Sequence, residues 1–329
     1  MDPLWTPKTP DKSAMAAFMR DVNSKFNTQI TDYHQLWKWS VENHEDFWNH
    51  WWNYVNPIAS KQPYRTLINT DLFERSQWFP DVELNFAENL LRFRDNKKAI
   101  VFRDEDGNRS SLSYNELYIV AGLVAAEFKN LGIRKGDRVA AILPNIPEAV
   151  IAMLSCVRIG AIHSVVFGGF ASNELASRID DSKAKVLITA SCGFEPGRTV
   201  EYRPLVDEAL KLAKHNVKKV ILFQRKGYEV KLNAPLEISW EESLSNSKDV
   251  DCVEMGSNEY AYILYTSGTT GIPKGIVRDT GGHIVALKWT MKNIYNIESD
   301  DVWWSASDIG WIVGHSYIVY APLFKGCTT

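Results

Sequence analysis

Cysteine is scarce in this sequence, and no two cysteines form a Cys-x-x-Cys pair. The four present are Cys156, Cys192, Cys252 and Cys327. Scattered cysteines of this kind favour reduced thiols over disulfides or zinc ligands, so we expect a cytoplasmic protein. The seven histidines also lack the spacing of metal ligands. The sequence therefore predicts no metal site.

An excess of charge and a long apolar run are also missing. The formal net charge is −3 and the isoelectric point is about 6.2, which argues against a general nucleic-acid binder. No segment approaches the run of about 18 apolar residues that a membrane span requires. The opening residues, MDPLWTPKTPDK, hold no apolar core behind a basic patch, so we expect no secretory signal. Nucleic acid and membranes are not expected partners.

Tryptophan, by contrast, is plentiful near the start of the chain. The sequence has 12 tryptophans, and many lie in the segments LWKWS and FWNHWW. Phe47 and Trp51, like Trp48 and Trp52, are four residues apart, so each pair shares a helix face. We expect these rings to pack against the rest of the protein, with ligand stacking as the alternative.

Apolar strand-like segments alternate with amphipathic ones from about residue 98. Residues 1–92 predict helices and irregular segments, which we separate from a domain at 93–329. Strands are predicted at 98–102, 138–144, 185–190, 218–223 and 260–265. Helices are predicted at 114–130, 147–159, 172–181 and 204–215, the first opened by the capping box Ser113-x-x-Glu116. The alternation predicts an α/β fold with a mainly parallel, helix-covered sheet.

A loop rich in glycine and hydroxyl side chains follows the strand predicted at 260–265. In parallel sheets ligands gather beyond the carboxyl ends of strands, which is where this loop falls. Glycines let several N–H groups turn towards one anion, and Lys274 adds a positive charge. This set suits the β- and γ-phosphates of ATP. The candidate ATP-binding residues are Thr266, Ser267, Gly268, Thr269, Thr270, Gly271 and Lys274.

Lys274 is also the candidate catalytic residue, because it can stabilise the phosphates during reaction. The spacing differs from that of a Walker A loop, since Pro273 stands where the second glycine of that motif belongs. The alternative for the whole segment is a turn that binds no ligand.

The string at 265–275, YTSGTTGIPKG, resembles the signature loop of the adenylate-forming superfamily, which includes acyl-CoA synthetases, luciferases and peptide-synthetase adenylation domains. Residues 33–54 and 78–92 are similar to the N-terminal region of short-chain acyl-CoA synthetases, especially acetoacetyl-CoA synthetases. Residues 163–170, 176–190 and 310–323 resemble the acetyl- and propionyl-CoA synthetase branch instead. We give the second resemblance more weight, because those segments lie nearer the expected acyl and CoA sites.

This resemblance implies a two-step reaction with ATP, Mg²⁺ and CoA. A carboxylate attacks the α-phosphate of Mg-ATP, which releases pyrophosphate and leaves an acyl-adenylate. The CoA thiol then attacks the adenylate and expels AMP. Such chemistry depends on positioning the reactants and neutralising crowded negative charge.

The resemblance also implies the acyl pocket. Trp311, Ile312 and Val313 match a run that lines this pocket in acetyl-CoA synthetases, with core packing as the alternative role. Val313 stands where those enzymes have threonine, a difference shared with propionyl-CoA synthetases. We therefore favour propionate, then acetate, with acetoacetate as the alternative, although one methylene is worth only about 1–3 kcal/mol of discrimination. His315 is expected to be structural.

For CoA, the resemblance selects two glycines and a basic stretch. Gly168 and Gly169 match a pair where CoA passes close to the backbone, and a tight turn is their alternative role. Gly197 and Arg198 match a stretch whose second arginine pairs with CoA phosphates. Glu195 occupies a position that is arginine in many acetyl-CoA synthetases.

Several elements that the superfamily requires have no counterpart in the 329 residues. They are a glutamate that holds magnesium, an aspartate for the ribose, an arginine for the nucleotide and a C-terminal lid with an adenylation lysine. We therefore expect an N-terminal half that is inactive alone, with a separately encoded C-terminal half as a possible partner. A non-catalytic truncated product or a nucleotide-binding module is the alternative. An unpaired strand edge at the end would favour aggregation.

Overall fold

Strands and helices alternate through most of the chain. The computed structural model describes residues 6–69, 72–105, 107–195, 197–245, 248–266 and 273–329. The strands are β1 (Leu67–Ile68), β2 (Gln77–Trp78), β3 (Glu83–Leu84), β4 (Lys98–Arg103), β5 (Arg109–Ser113), β6 (Arg138–Ile142), β7 (Ile162–Val166), β8 (Val186–Ala190), β9 (Cys192–Glu195), β10 (Arg198–Glu201), β11 (Lys219–Phe223), β12 (Glu237–Ser239), β13 (Met255–Gly256), β14 (Tyr260–Thr266) and β15 (Lys274–Asp279).

The helices fall between these strands and before the first of them. They are α1 (Ala14–Phe26), α2 (Tyr33–Glu42), α3 (His44–Val55), α4 (Phe86–Leu90), α5 (Tyr114–Asn130), α6 (Pro147–Arg158), α7 (Ser172–Ser182), α8 (Tyr202–Leu212), α9 (Trp240–Ser245), α10 (Gly281–Trp289), α11 (Ile312–Gly314) and α12 (Ala321–Lys325). Short 3-10 helices lie at Pro10–Lys12 and Phe73–Arg75, and π-helical turns at Thr290–Ile294 and His315–Tyr320. No helix in the described ranges is long and apolar enough to cross a membrane.

The central sheet contains seven strands in the described part of the chain, in the order β12-β11-β8-β6-β7-β14-β15. Neighbouring strands are parallel except β14 and β15, which form an antiparallel pair at one edge. Every residue of β7 and of β8 is buried, as expected of strands that helices cover on both faces. The predicted α/β fold with a mainly parallel sheet is confirmed.

Alternate residues of the strands enter different apolar clusters. In β6, Val139 and Ala141 pack in the cluster that includes α5 and α6, whereas Ala140 and Ile142 pack against α7 and α8. This period of two follows from the pleat of a strand. The sheet is therefore anchored from both sides, and polar groups are left to the loops at its ends.

The strand predicted at 98–102 is present, but it lies outside the central sheet. β4 pairs with β5 in an antiparallel hairpin. A short loop that contains Gly107 at φ +84° joins them, and a parallel partner would need a crossover of about a dozen residues. Backbone hydrogen bonds also join Thr329 to Ala99 and Val101 of β4.

The capping box predicted for the helix at 114–130 is present. The N–H of Glu116 donates to the Ser113 side chain at 3.2 Å, and the N–H of Ser113 donates to the Glu116 carboxylate at 2.7 Å. The bond that the Glu116 carboxylate accepts from Ser113 lowers the pKa of Glu116. Together the two bonds satisfy donors that the first helical turn leaves without intrahelical partners, which is why α5 begins where predicted.

An aromatic cluster attaches the N-terminal helices to α10. The Phe18 ring lies 5.3 Å from the Trp51 ring and 5.1 Å from the Trp289 ring, measured between centroids. Trp51 is fully buried, and its indole N–H donates to the Val285 carbonyl at 2.9 Å. Trp52 is also buried. The predicted packing role is confirmed for Trp51 and Trp52.

A second buried cluster contains three histidines and two tyrosines beneath the sheet. Its members are His163, Tyr262, His283, His315 and Tyr320. The Tyr320 hydroxyl is hydrogen-bonded to His163, and the Tyr262 hydroxyl lies 3.2 Å from Nε2 of His283. Burial lowers the pKa of His283 to about 3 and that of His315 to about 4. These histidines are therefore neutral at pH 7, which agrees with the structural role predicted for His315.

We predict that Trp51→Ala lowers the free energy of unfolding by about 3–5 kcal/mol, because it empties a packed site and removes a buried hydrogen bond. The matched control is Trp37→Ala, since the Trp37 side chain is 56% exposed; it should change stability by no more than about 0.5 kcal/mol. Urea unfolding followed by circular dichroism measures both. Equal losses in the two variants would contradict the packing role of Trp51.

We predict that lowering the pH reduces the free energy of unfolding, because of the buried histidines. Their pKa values are lowered in the folded state, so their contribution is present above the ordinary value of 6.5 and is lost below it. Each histidine should contribute a slope of about 1.4 kcal/mol per pH unit below that value. His283→Gln keeps a hydrogen-bonding group beside Tyr262 and removes one such slope. Urea unfolding across a pH series measures it, with the exposed His34→Gln as control. An unchanged slope in His283→Gln would refute this account.

Candidate functional site

The carboxyl ends of five adjacent strands meet at one edge of the central sheet. These strands, β11, β8, β6, β7 and β14, are mutually parallel. A cavity of about 270 Å³ lies at this edge. Its wall includes Asn145 after β6, Gly168 and Gly169 after β7, Gly193 after β8 and Arg225 after β11. A ligand site is expected at such an edge.

The two glycines predicted for CoA form part of the cavity wall. A Cβ on Gly168 would lie 2.2 Å from the Tyr202 hydroxyl, and one on Gly169 would lie 2.6 Å from the Phe167 ring. The Tyr202 hydroxyl would also lie 2.9 Å from a Cβ on Gly193. Side chains are therefore excluded at these positions, and the cavity is bounded there by backbone. Burial raises the pKa of Tyr202, so its hydroxyl stays protonated.

Gly197 and Arg198, the other residues predicted for CoA, lie at the tip of the β9–β10 hairpin. Gly197 has φ +77°, a conformation that costs other residues about 1–2 kcal/mol. The Arg198 guanidinium is 2.5 Å from the Glu195 carboxylate, and the Arg198 side chain is 71% exposed. Glu195 lines the cavity. The negative charge of Glu195 thus neutralises the positive charge of Arg198.

The ends of the candidate phosphate loop are held together by a hairpin. Thr266 ends β14 and pairs in register with Lys274, which begins β15. Ser267, Gly268, Thr269, Thr270 and Gly271 lie outside the described residues. Thr266 and Lys274 are both exposed. Within the described ranges, Lys274 forms no ion pair, so its charge is available at the base of the loop.

A polar and aromatic chain joins the start of this loop to the segment after β7. The Tyr265 hydroxyl donates to Asp181 at 2.7 Å. The Arg178 guanidinium lies 5.3 Å from the Tyr265 ring and 4.6 Å from the Phe170 ring. Burial, and then the bond to Asp181, raise the pKa of Tyr265. Arg178 therefore links the segment that follows β7 to the carboxyl end of the neighbouring strand β14.

The residues predicted for the acyl pocket lie beside the same segment. The Trp311 ring is 5.5 Å from the Phe167 ring and 6.1 Å from the Phe170 ring. Trp311, Ile312 and Val313 are 45%, 46% and 48% exposed. One face of this segment is thus packed against the residues around Gly168 and Gly169, and the other face is open.

Asn145 and two glycines fix the turn that precedes Trp311. The Asn145 side chain donates to the Ser307 carbonyl at 3.1 Å and accepts from the Ile309 N–H at 3.0 Å. A Cβ on Gly310 would lie 2.7 Å from Cα of Phe167, and one on Gly314 would lie 1.8 Å from the Asp308 carbonyl oxygen. Burial raises the pKa of Asp308, which accepts the Gly310 N–H.

Sequence reasoning missed Asn145, Arg225 and Asp308, all of which line the cavity. Arg225 follows the predicted strand at 218–223 by two residues and Asn145 follows that at 138–144 by one, so the rule that ligands gather at carboxyl ends was sufficient to select both. Asp308 carries no such signal, because its importance depends on a contact between distant segments. Among the described residues, no three histidine, cysteine, aspartate or glutamate side chains are grouped as metal ligands.

Two family profiles and several known proteins are similar to this chain. The profile of the AMP-binding enzyme family matches residues 86–329, and that of the acetyl-coenzyme A synthetase N-terminus matches residues 33–90. The chain is 43% identical over 297 residues to mouse acyl-CoA synthetase short-chain family member 3, mitochondrial, covering 88% of this chain and 43% of the relative. It is 39% identical over 307 residues to acetyl-coenzyme A synthetase from Yersinia pseudotuberculosis, covering 90% of this chain and 47% of that protein.

A solved structure shows the same fold. The acetoacetyl-CoA synthetase from Streptomyces lividans superposes with a TM-score of 0.91 at 26% identity, covering 100% of this chain and 51% of that one. The chain thus spans about half the length of these relatives. The family profile covers well over half of the chain itself. The chain belongs to the AMP-binding enzyme family, and it is similar to short-chain acyl-CoA synthetases.

Proposed function

We propose that this chain binds the substrates of a short-chain acyl-CoA synthetase that uses ATP with Mg²⁺ and CoA. The observation that carries the proposal is that residues next to three candidate segments are in contact at one edge of the sheet. Tyr265 near the end of β14, the segment after β7 and the Trp311 ring are joined through Arg178, Phe170 and Phe167. Reactants held by these segments would be adjacent, which a two-step transfer requires.

In this proposal each segment has one task. The loop residues Thr266, Ser267, Gly268, Thr269, Thr270, Gly271 and Lys274 hold the ATP phosphates. The surface formed by Gly168, Gly169, Gly197 and Arg198 faces CoA, while Trp311, Ile312 and Val313 face the acyl group. A carboxylate oxygen bonds to the α-phosphorus as the bond to pyrophosphate breaks. The thiol sulfur then bonds to the acyl carbon as AMP leaves with the bonding electrons.

We further propose propionate or acetate as the acid and the cytoplasm as the location. Val313 supports propionate, since it offers the acyl group an apolar surface where threonine would offer a hydroxyl. The names of the relatives include acetyl- and acetoacetyl-CoA synthetases, and acetoacetate is the alternative substrate. Residues 1–92 would serve as a docking segment for the domain at 93–329. A separately encoded chain could supply the lid and the magnesium ligand.

We predict that Lys274→Ala weakens ATP binding by about ten- to a hundredfold, since a hydrogen bond to a charged group is worth about 1.5–3 kcal/mol. Calorimetric titration of the 329-residue chain with ATP measures this loss. The matched control is Lys218→Ala, because Lys218 is exposed and precedes β11 at the opposite, amino edge of the sheet. Equal ATP affinity in Lys274→Ala and the wild-type chain would contradict the proposed role of the loop.

We also predict that the 329-residue chain exchanges pyrophosphate into ATP only at background rate with acetate, propionate, butyrate or acetoacetate. The reason is that these residues hold no counterpart of the lid lysine or the ribose aspartate. Radiolabelled pyrophosphate provides the measurement. Robust exchange with any of the four acids would show that this chain alone completes adenylation. A preference for propionate would then support the proposed substrate.

A further inference from the structure

Arg225 lies at the carboxyl end of β11 with its backbone fixed in place. Its N–H donates to the Ser191 hydroxyl at 2.8 Å, and its carbonyl accepts from the Tyr228 N–H at 3.0 Å. The residue is only 6% exposed. Its side chain nevertheless borders two cavities of about 270 Å³ each. The guanidinium is thus held inside the protein but beside open space.

Arg225 differs from the other deeply buried arginines in lacking a carboxylate partner. Arg158 forms a 2.7 Å ion pair with Asp249, and Arg178 forms a 2.6 Å ion pair with Glu174. In the part of the chain that the structure describes, the Arg225 guanidinium forms no ion pair and donates no hydrogen bond. Its contact is the Phe194 ring, 4.7 Å away. A buried charge without a hydrogen-bonded counter-ion is unfavourable, so an anionic ligand would stabilise this side chain.

None of the described carboxylates near Arg225 forms an ion pair with it. Glu195 is paired with Arg198, and Asp308 accepts the Gly310 N–H. Glu148, which borders the second cavity, interacts electrostatically with Arg225, but burial raises the pKa of Glu148 more than this interaction lowers it. Arg103 and Glu105, which carry opposite charges, both line the first cavity.

The first cavity offers further donors. Gly168 and Gly169 line it together with Arg225 and bring backbone to its wall. Across the described ranges, neither of their N–H groups donates a hydrogen bond. Backbone N–H groups and a guanidinium that line one cavity form a set of donors that suits a phosphoryl group. The planar fork of arginine can bind such a group through two parallel hydrogen bonds.

We propose that Arg225 binds a phosphoryl group of CoA and contributes more to CoA affinity than Arg198, whose charge Glu195 neutralises. This inference rests on the proposed function. It assigns the stronger anion contact to a buried residue after β11 and the weaker one to the exposed hairpin tip. CoA carries both a 3′-phosphate and a diphosphate, so either phosphoryl group meets the chemistry of this site.

The test measures CoA binding to the 329-residue chain by calorimetry. Arg225→Gln should raise the dissociation constant for CoA by about tenfold or more, since it removes a charge-assisted contact. Arg225→Lys should fall between this variant and the wild type, because lysine keeps the charge and loses the fork. Arg198→Gln should change the constant by less than about threefold, as expected for an exposed pair. The matched control, Arg134→Gln, alters an exposed arginine before β6 and should change nothing.

Thermal unfolding separates binding from a structural role. Arg225→Gln should melt no lower than the wild-type chain, because it removes an unpaired buried charge. CoA should raise the melting temperature of the wild type and not that of Arg225→Gln. If the variant instead melts lower and keeps its CoA affinity, Arg225 only packs on Phe194 and the proposal is overturned. The same titrations with 3′-dephospho-CoA identify the phosphoryl group, since Arg225→Gln loses affinity for this analogue only if the diphosphate is bound.

Two more titrations separate this inference from the proposed function. If Arg225→Gln loses affinity for inorganic pyrophosphate but keeps its affinity for CoA, the residue binds an anion of another source and the CoA assignment fails. If ATP binding depends on Lys274 while the affinity for CoA does not depend on Arg225, this inference fails and the proposed function stands. If the wild-type chain binds neither ATP nor CoA, both fail.

Discussion

The parallel alignment of five buried strands is the constraint on which the candidate site depends. Because β11, β8, β6, β7 and β14 run in one direction, the loops after them open at one edge. Apolar clusters on both faces hold the strands in register, since a slip of one residue would exchange the faces. Segments distant in sequence are thereby brought together without strain in the core.

Charge is distributed unevenly along this edge. Arg178 is paired with Glu174 and contacts aromatic rings, so it acts as a link between segments. Arg198 is exposed and neutralised by Glu195, whereas Arg225 is buried and lacks a counter-ion among the described residues. A buried cation beside a cavity attracts an anion more strongly than an exposed one, because water screens it less. The difference between the three arginines comes from burial, which a motif does not encode.

The sequence was sufficient to predict four strands of the central sheet, β6, β8, β11 and β14, and the start of α5, but not the strands β7, β12 and β15. Apolar runs and caps are local signals, so the structure that they predict does not depend on contacts between distant segments. The pairing of β4 with β5 was not predicted, because an apolar run does not specify its partner strand. The contact of Asn145 with the turn before Trp311 depends on two segments far apart in sequence. No local pattern reports such a contact, and this is why the sequence missed it.

The open face of the acyl segment limits how selectivity can arise. Trp311, Ile312 and Val313 are each close to half exposed. Burying one large apolar side chain stabilises a complex by about 1.5–3 kcal/mol at most. A two- or three-carbon acyl group is too small to cover all three side chains, so it gains only a fraction of this amount from them. Under the proposed function, discrimination between acetate and propionate would therefore require other groups to close over this face. Residue 313 would then set the polarity of one wall, and closure would set the length of acid that fits.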